Sequence, residues 1–325
     1  MPVWKGIMQQ MENLVFSLNA TVPVFLMMIL GLFFKKIGFI SDTLADEMNK
    51  FVFLIPLPVL VFSDLATVDF EEVWNMKFVL FCFGATVISI AISTAVSFLW
   101  KDKSIQGEFI QSSYRSSAAL LGIAFIQNIY GTAGMAPLMI IGSVPLYNMM
   151  AVLVLSLFRP GQNGLDRHVV KRTLIGIIKN PIIIGIVAGL AWSALRIPMP
   201  NIMEKTVNSV AGVATPMGLM AMGATFDIRK AFAKVKPAVA ATLIKLVGFA
   251  AIFLPLAAQM GFRQEELVAI PGNAGLSHHG QFCFVMARNM GHEGVLSSSV
   301  VMLTTLFSAF TLTGWLYVMK SLSLI

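Results

Sequence analysis

Long stretches without a charged side chain constrain this chain more than any other feature. Uncharged runs occupy residues 13–34, 78–100, 206–226, 267–287 and 294–319. A helix crosses a bilayer with ~20 predominantly apolar residues, and each of these runs is long enough. Only 12% of all residues are charged, well below the ~25% that is typical of a soluble domain. The sequence therefore predicts an integral membrane protein.

The runs and their less regular neighbours predict an all-α polytopic membrane protein with ten transmembrane helices. The uncharged stretch 116–158 is long enough for two helices, and the turn-rich segment YGTAG at 130–134 lies between them. The ten predicted helices are 14–35, 42–64, 75–100, 106–130, 134–158, 173–195, 202–226, 237–260, 265–290 and 294–319.

Lysine and arginine residues fall mostly on one side of this arrangement. With the N-terminus outside, most of the 23 Lys and Arg residues lie in the loops of the inner face, as the positive-inside rule requires. Arg115 and Lys245 lie within predicted helices instead. We therefore expect a protein of the cell (cytoplasmic) membrane with both termini outside.

The sequence contains an internal repeat. Proline, glycine and aspartate residues of the first half recur 158 positions later in the chain, and the offset becomes 160 towards the end of each repeat. The matched pairs are Pro23 and Pro181, Gly31 and Gly189, Pro58 and Pro216, Asp69 and Asp227, Gly131 and Gly291, and Gly134 and Gly294. The predicted repeats are 1–158 and 173–325, joined by a short cytoplasmic linker at 159–172. Each repeat holds five helices, an odd number, so the second is inverted, a construction typical of secondary transporters.

The same construction predicts where a substrate binds. In inverted-repeat transporters a helix of each half is broken near the membrane midplane, and the half-helix ends bind the substrate. The fourth predicted helix carries Arg115-Ser116-Ser117 about halfway along its length. The matching break in the ninth helix is Ser277-His278-His279-Gly280, with Pro271-Gly272-Asn273 as the alternative. We expect the substrate at the crossing of these two helices.

Five sequence blocks resemble a known family. They are NKFVFLIPLPVLVFSDLA (49–66), NPIIIGIVAGL (180–190), TPMGLMAMGATF (215–226), IKLVGFAAIFLPL (244–256) and VMARNMG (285–291). In this order and spacing they resemble the auxin efflux carrier family, whose bacterial members include malate and malonate permease-like proteins, over residues 14–319. The resemblance implies crossing fourth and ninth helices and transport of anions, usually carboxylates. It also implies that Pro58 and Pro216 break helices beside the site and that Arg115 opens the first crossover.

Both crossovers depart from the pattern of that family. Ser117 and Ala124 stand where the first crossover of the family often has Asn and then Pro. His278 and His279 stand where the second commonly has Pro with small residues or Asn. The identity of the substrate is therefore the property that the resemblance transfers least well.

Charged and titratable residues within the predicted helices each have two interpretations. Arg115 is either the counter-charge of an anionic substrate or a structural tie to helix carbonyls, because an unpartnered arginine in a membrane costs several kcal/mol. Lys245 either extends towards the inner membrane surface or neutralises the carbonyl end of a broken helix. His278 and His279 would point ~100° apart on a continuous helix. In a broken helix both could contact one carboxylate and couple it to protons; the alternative is a polar packing contact.

The remaining candidates are neutral side chains, which either line a cavity or join neighbouring helices. The predicted substrate-binding set is Arg115, Ser116, Ser117, Asn273, Ser277, His278, His279 and Gln281, and the supporting set is Pro58, Pro216, Lys245 and Pro271. No Asp or Glu lies deep in a predicted helix, since Asp64 and Glu108 are near helix ends. This distribution favours an anion over a cation as the substrate.

These features predict a secondary transporter that moves a small organic anion, a di- or monocarboxylate such as malate or malonate, by elevator-type alternating access. An exporter of auxin-like aromatic carboxylates is the alternative within transport. An intramembrane enzyme is a distant alternative, because no nucleophile motif or carboxylate pair accompanies the histidines. The coupling ion is either a proton or sodium, and the expected assembly in the lipid bilayer is a homodimer. We expect no cofactor, no metal and no nucleic-acid partner.

Overall fold

Helices make up most of the described residues in the computed structural model. The structure describes residues 15, 22–66, 75–116, 135–161, 175–176, 178–273 and 282–325. Within these ranges there is no β-strand, and short turns connect most of the helices. The all-α class predicted from the uncharged runs is therefore confirmed.

The described helices follow one another in the order that the sequence predicts. They are α1 (22–36), α2 (Asp42–Leu54), α3 (Pro56–Ala66), α4 (Met76–Ser97), α5 (Gln106–Tyr114), α6 (Ala136–Leu157), α7 (Pro181–Ala194), α8 (Asn201–Ala224), α9 (Ile228–Ala233), α10 (Val235–Leu243), α11 (Phe249–Gln259), α12 (Glu265–Asn273), α13 (Phe282–Asn289) and α14 (Val295–Ser321). A π-helical segment, Ile244–Gly248, joins α10 to α11. Each of the ten predicted segments overlaps at least one of these helices.

Fewer than ten of the described segments are long and apolar enough to cross a membrane. Four qualify, namely Asp42–Ala66, Met76–Ser97, Leu138–Leu157 and Val235–Gln259, and α14 is a fifth if its two parts, which meet at a 46° bend, count as one. The others fall short for local reasons. α5 and α12 have nine residues each and α7 has 14, whereas α8 has 24 residues but carries polar residues such as Asn208 and Ser209, and several glycines, in its uncharged stretch.

Proline acts differently in the two halves. α2 ends at Leu54, and Ile55 leaves the helical region with φ −123° and ψ −72°, because a residue that precedes proline is disfavoured there. α3 then begins at Pro56 and holds Pro58 in its first turn. The matching helix α8 runs through Pro216 without interruption, so the expectation that Pro216 breaks its helix is wrong. One proline removes a single backbone hydrogen bond, which a membrane helix packed against neighbours tolerates.

Two glycine contacts repeat across the halves of the chain. A Cβ placed on Gly31 of α1 would lie 2.2 Å from the Met220 carbonyl oxygen of α8. A Cβ placed on Gly189 of α7 would lie 2.9 Å from the Phe62 carbonyl oxygen of α3. An offset of 158 relates Gly31 to Gly189 and Phe62 to Met220, so the same close helix contact occurs twice, each time between one helix of the first half and one of the second. Small residues permit such backbone approach between membrane helices.

α5 lies in the interior, between the two halves. It contacts α4 and α6 of the first half and α10, α13 and α14 of the second. All nine of its residues are buried, although several are polar. Most buried polar groups have partners. In α5 the Ser113 hydroxyl donates to the Phe109 carbonyl at 2.8 Å and the Gln106 amide donates to the Ser97 carbonyl at 3.2 Å. Gln111 Oε1 and Ser112 Oγ, by contrast, have no hydrogen-bond partner within the described residues. The end of α5 therefore lies inside the protein.

Candidate functional site: the interrupted helix at Arg115

α5 ends inside the protein at the first residue of the predicted break. The Arg115 N–H still donates to the Gln111 carbonyl at 3.1 Å, but its own φ of −72° and ψ of 129° are extended. Ser116, which follows, is buried. The last carbonyl groups of a helix have no partner within that helix. The break therefore places the carbonyl end of α5, with its partial negative charge, in the interior.

The Arg115 side chain extends from this break towards α6 and α13. Its Nη2 donates to Asn148 Oδ1 at 2.5 Å, and its Nη1 donates to the Met286 sulfur. The guanidinium carbon lies 5.6 Å from the centre of the Tyr147 ring, within the range of a cation–π contact. The residue is only 4% exposed. All of these partners are neutral, and Arg115 forms no ion pair with a carboxylate in the part of the chain that the structure describes.

Lys245 complements the carbonyl end of α5. Its ammonium group donates to the Arg115 carbonyl oxygen, and the residue is fully buried. A cation is stabilised at the C-terminal end of a helix. Lys245 lies in the π-helical segment, the kind of local rearrangement that often occurs at functional sites. Its contact matches the alternative in which it neutralises a broken helix, and its burial contradicts the alternative in which it extends to the membrane surface.

Residues of α6 hold the Arg115 guanidinium in place. The Asn148 side-chain amide donates to the Val144 carbonyl at 3.0 Å, which turns its oxygen towards Arg115. The Tyr114 hydroxyl donates to the Tyr147 carbonyl at 3.2 Å and joins the end of α5 to the same helix. These contacts hold the Arg115 side chain in one position. A side chain that recognises one ligand geometry needs to be held in this way.

The arrangement has a chemical consequence for ligands. The Arg115 side chain and the Lys245 amine, which donates to the Arg115 backbone carbonyl, are both buried in the interior of a membrane protein. A buried charge is costly unless another charge and hydrogen bonds compensate it. An anion that reached the guanidinium would provide that compensation, and an arginine fork suits a carboxylate in two-point contact. The site is therefore suited to an anionic ligand.

Glu108 has a structural role that sequence reasoning missed. It lies on α5 near the predicted start of the fourth helix, yet it is only 1% exposed. Its Oε1 accepts the Gly294 N–H at 2.9 Å, and its Oε2 accepts the Ser297 N–H at 2.9 Å and the Ser297 hydroxyl at 3.0 Å. A carboxylate at a helix N-terminus satisfies amide groups that have no helical partner. Glu108 thus fastens the first half of the chain to the start of α14.

Two polar contacts join α2 to α13. Arg288 Nη2 lies 3.0 Å from Asp46 Oδ1 in an ion pair, and the Asn289 side-chain amide donates to the Asn49 carbonyl at 3.3 Å. From the sequence, Arg288 lies close to the inner end of the ninth predicted helix. Nothing in the separation of these residues along the chain, about 240 positions, indicates the contact.

The other predicted site residues are described only in part. Pro58 packs between helices, because a Cβ placed on Gly185 of α7 would lie 2.5 Å from its carbonyl oxygen. α12 extends to Asn273, the last residue of the alternative second break, and α13 begins at Phe282; the side chains of Pro271 and Asn273 are outside the described part. Ser117, Ser277, His278, His279 and Gln281 also lie outside the described residues.

Comparison with known proteins identifies the family. Residues 16–316 match the model of the family described as "Membrane transport protein". A protein of Rhizobium meliloti (strain 1021) named "Putative malonate transporter" is 24% identical over 324 residues, which cover 90% of this chain and 93% of that protein. The match confirms the resemblance to the auxin efflux carrier family and indicates a transporter instead of an enzyme. The chain belongs to the membrane transport protein family, also called the auxin efflux carrier family.

Proposed function

We propose that this protein is a secondary transporter for a small organic anion, a di- or monocarboxylate such as malate or malonate. The observation that carries the proposal is the buried guanidinium of Arg115, which stands at an interrupted helix and has only neutral partners among the described residues. An anionic substrate is the counter-ion that this arrangement lacks. The relative named for malonate supports a short dicarboxylate.

We infer that ten spans form two inverted repeats, 1–158 and 173–325, joined by the linker 159–172. The two glycine contacts related by the 158-residue offset support this arrangement. The described helices support it as well, since an offset of 160 places α12 on α5 and α14 on α6. Both termini then lie outside the cell membrane, as the distribution of Lys and Arg requires.

We propose elevator-type alternating access for this architecture. Spans 1, 2, 6 and 7 form the scaffold, and spans 3–5 and 8–10 move with the site. The glycine contacts support the scaffold, because they join α1 to α8 and α3 to α7. The side chains around Arg115 support the moving unit, because they come from α5, α6, α13 and the π-helical segment. Two conformations of similar energy are what alternating access needs.

The substrate site is proposed to hold Arg115 and Ser116 with residues of the second crossover, Asn273, Ser277, His278, His279 and Gln281, and Ser117 of the first. Lys245 and Pro271 would support the broken helices. A proton or sodium would drive transport, and the histidines favour a proton if they titrate during the cycle. A homodimer is the proposed assembly.

Flux measurements in liposomes test the proposal directly. Purified protein is reconstituted, and uptake of labelled malonate is measured with unlabelled malate, succinate, acetate, an indole carboxylate and lysine as competitors. Competition by the short carboxylates and none by lysine is expected. Competition by the indole acid alone would replace the proposal with the aromatic-carboxylate alternative. Absence of malonate uptake and of any competition across the acid panel would overturn it.

A further inference from the structure

An apolar groove opens on the surface of the protein between α8, α9, α10 and α14. It has a volume of about 230 Å³ and is lined by Phe226, Phe232, Val235, Met302 and Leu303, among others. The Phe232 side chain is 74% exposed. A patch of this kind on a membrane protein faces hydrocarbon, and a groove in it can receive an acyl chain.

A smaller cavity continues the groove towards α1. Phe226 and Met302 line both spaces, and Met28 and Leu32 of α1 close the far side. The combined space therefore runs between α1 and α8 on one side and α10 and α14 on the other. In the proposed elevator mechanism α1 and α8 belong to the scaffold, and α10 and α14 belong to the moving unit.

Four basic residues follow, within four positions along the chain, residues that line this groove or the smaller cavity, and we call this part the basic end. Lys36 follows Leu32 by four residues on α1, so both lie on one face of that helix. Arg229 and Lys230 follow Phe226 within four residues, and Lys236 follows Val235. All four are exposed, and within the part of the chain that the structure describes none of them forms an ion pair.

The acidic residues nearby are already engaged. Asp227 accepts the Arg229 N–H at 2.9 Å and the Lys230 N–H at 3.2 Å and begins α9. Glu293 pairs with Lys234 at 2.7 Å. The hydrogen bond from Lys234, together with the charge of that lysine, holds the pKa of the Glu293 carboxyl below its usual range, which keeps this pair ionised. Within the described residues neither carboxylate forms an ion pair with Lys36, Arg229, Lys230 or Lys236, although the charge of Lys230 contributes to lowering the pKa of Glu293.

We propose that this groove binds an anionic phospholipid from the leaflet at the basic end, which the proposed orientation makes the cytoplasmic leaflet. One acyl chain occupies the space between Phe226, Phe232, Val235 and Met302. The phosphate group contacts Lys36, Arg229, Lys230 and Lys236. Basic pockets between transmembrane helices recognise anionic lipid head groups in this way. Binding of this lipid does not depend on which substrate the protein transports. An effect of the lipid on transport would rest on the proposed elevator mechanism, because the lipid would contact both the scaffold and the moving unit.

Native mass spectrometry of the delipidated full chain tests the proposal. Phosphatidylglycerol and phosphatidylcholine with the same acyl chains are added in turn, and the bound fractions are compared. Stronger retention of phosphatidylglycerol is expected for the natural chain. Arg229→Gln with Lys230→Gln should weaken that retention by about fivefold for each charge removed. Lys50→Gln with Lys101→Gln removes two exposed basic residues of the same face elsewhere and should leave retention unchanged.

A second pair of variants tests the groove separately from the charge. Ala231→Trp fills the groove, whereas Ala233→Trp adds the same side chain to an exposed position of α9 that does not line it. Only Ala231→Trp should reduce retention of both lipids. Equal retention of the two lipids by the natural chain, equal loss in both charge variants, or displacement of the lipid by glycerol phosphate without acyl chains would overturn the proposal. These outcomes are independent of malonate flux, so they leave the proposed function separately testable.

Discussion

Glu108→Gln should loosen the start of α14 by an amount that follows from the structure. The carboxylate accepts three hydrogen bonds, from the Gly294 N–H and from the N–H and hydroxyl of Ser297, at 2.9 to 3.0 Å. Glutamine retains one accepting oxygen but presents an NH₂ group to the other donors. At least one hydrogen bond to a charged acceptor is lost, which costs ~1.5–3 kcal/mol. Loss of the negative charge at the helix N-terminus adds ~0.3–1 kcal/mol.

Hydrogen exchange of the amides at 294 and 297 measures this change. A local opening energy that falls by ~2–4 kcal/mol corresponds to exchange that is faster by roughly 30- to 700-fold. Glu293→Gln is the matched control, because the Glu293 carboxylate is 61% exposed and Lys234 is its one ion-pair partner among the described residues. An exposed pair of this kind contributes ~0–1 kcal/mol. Unchanged exchange in Glu108→Gln, or equal acceleration in both variants, would refute the role of Glu108.

Three further predictions follow from the same contacts. Arg288→Glu places a second carboxylate opposite that of Asp46 and should change the rate of malonate flux. Adding Asp46→Arg to the same chain should restore the natural rate. A double variant whose rate is no closer to the natural one than that of Arg288→Glu alone would show that this ion pair does not matter. Gly31→Ala and Gly189→Ala should each lower the free energy of unfolding by ~1–3 kcal/mol, because their Cβ atoms would meet backbone carbonyls. Gly212 has open space around it, so Gly212→Ala should be neutral or stabilising. Equal effects at all three positions would contradict the packing. Burial lowers the pKa of His292 from its ordinary 6.5, although the hydrogen bond to Leu155 and the charge of Glu108 oppose this shift. The folded state therefore resists protonation, and its stability should fall as the pH drops below about 6.5. In melting scans between pH 7 and 5 the His292→Gln variant should lose less stability than the natural chain, and an equal loss would exclude the histidine as the cause.

The sequence was most informative where a single segment carried the signal. Uncharged runs predicted a membrane protein of helices because the bilayer constrains composition along the chain. The interruption at Arg115 was predictable because a charged residue followed by serines is unfavourable in a buried helix. Lys245 was recognisable as unusual for the same reason, although its partner, the Arg115 carbonyl, lies 130 residues away.

Contacts between distant segments were not predictable from local patterns. Glu108 resembled any acidic residue in a first helical turn, and only the packing of α5 against α14 brings it to Gly294 and Ser297. The pair of Asp46 and Arg288 depends likewise on how α2 and α13 meet. At Pro216 a local pattern gave a wrong prediction. Its residue type indicates a break, but neighbouring helices hold α8 continuous.

Binding of malonate to the purified protein tests the central claim, that Arg115 provides the positive charge that an anionic substrate requires. Calorimetric titration of the natural chain, Arg115→Gln and Arg115→Lys gives the three dissociation constants. Arg115→Gln keeps hydrogen-bond donors and deletes the charge, so affinity should fall roughly ten- to hundredfold, corresponding to ~1.5–3 kcal/mol. Arg115→Lys should recover only part of it, because lysine lacks the planar fork. Equal affinity of the natural chain and a folded Arg115→Gln variant would contradict the account.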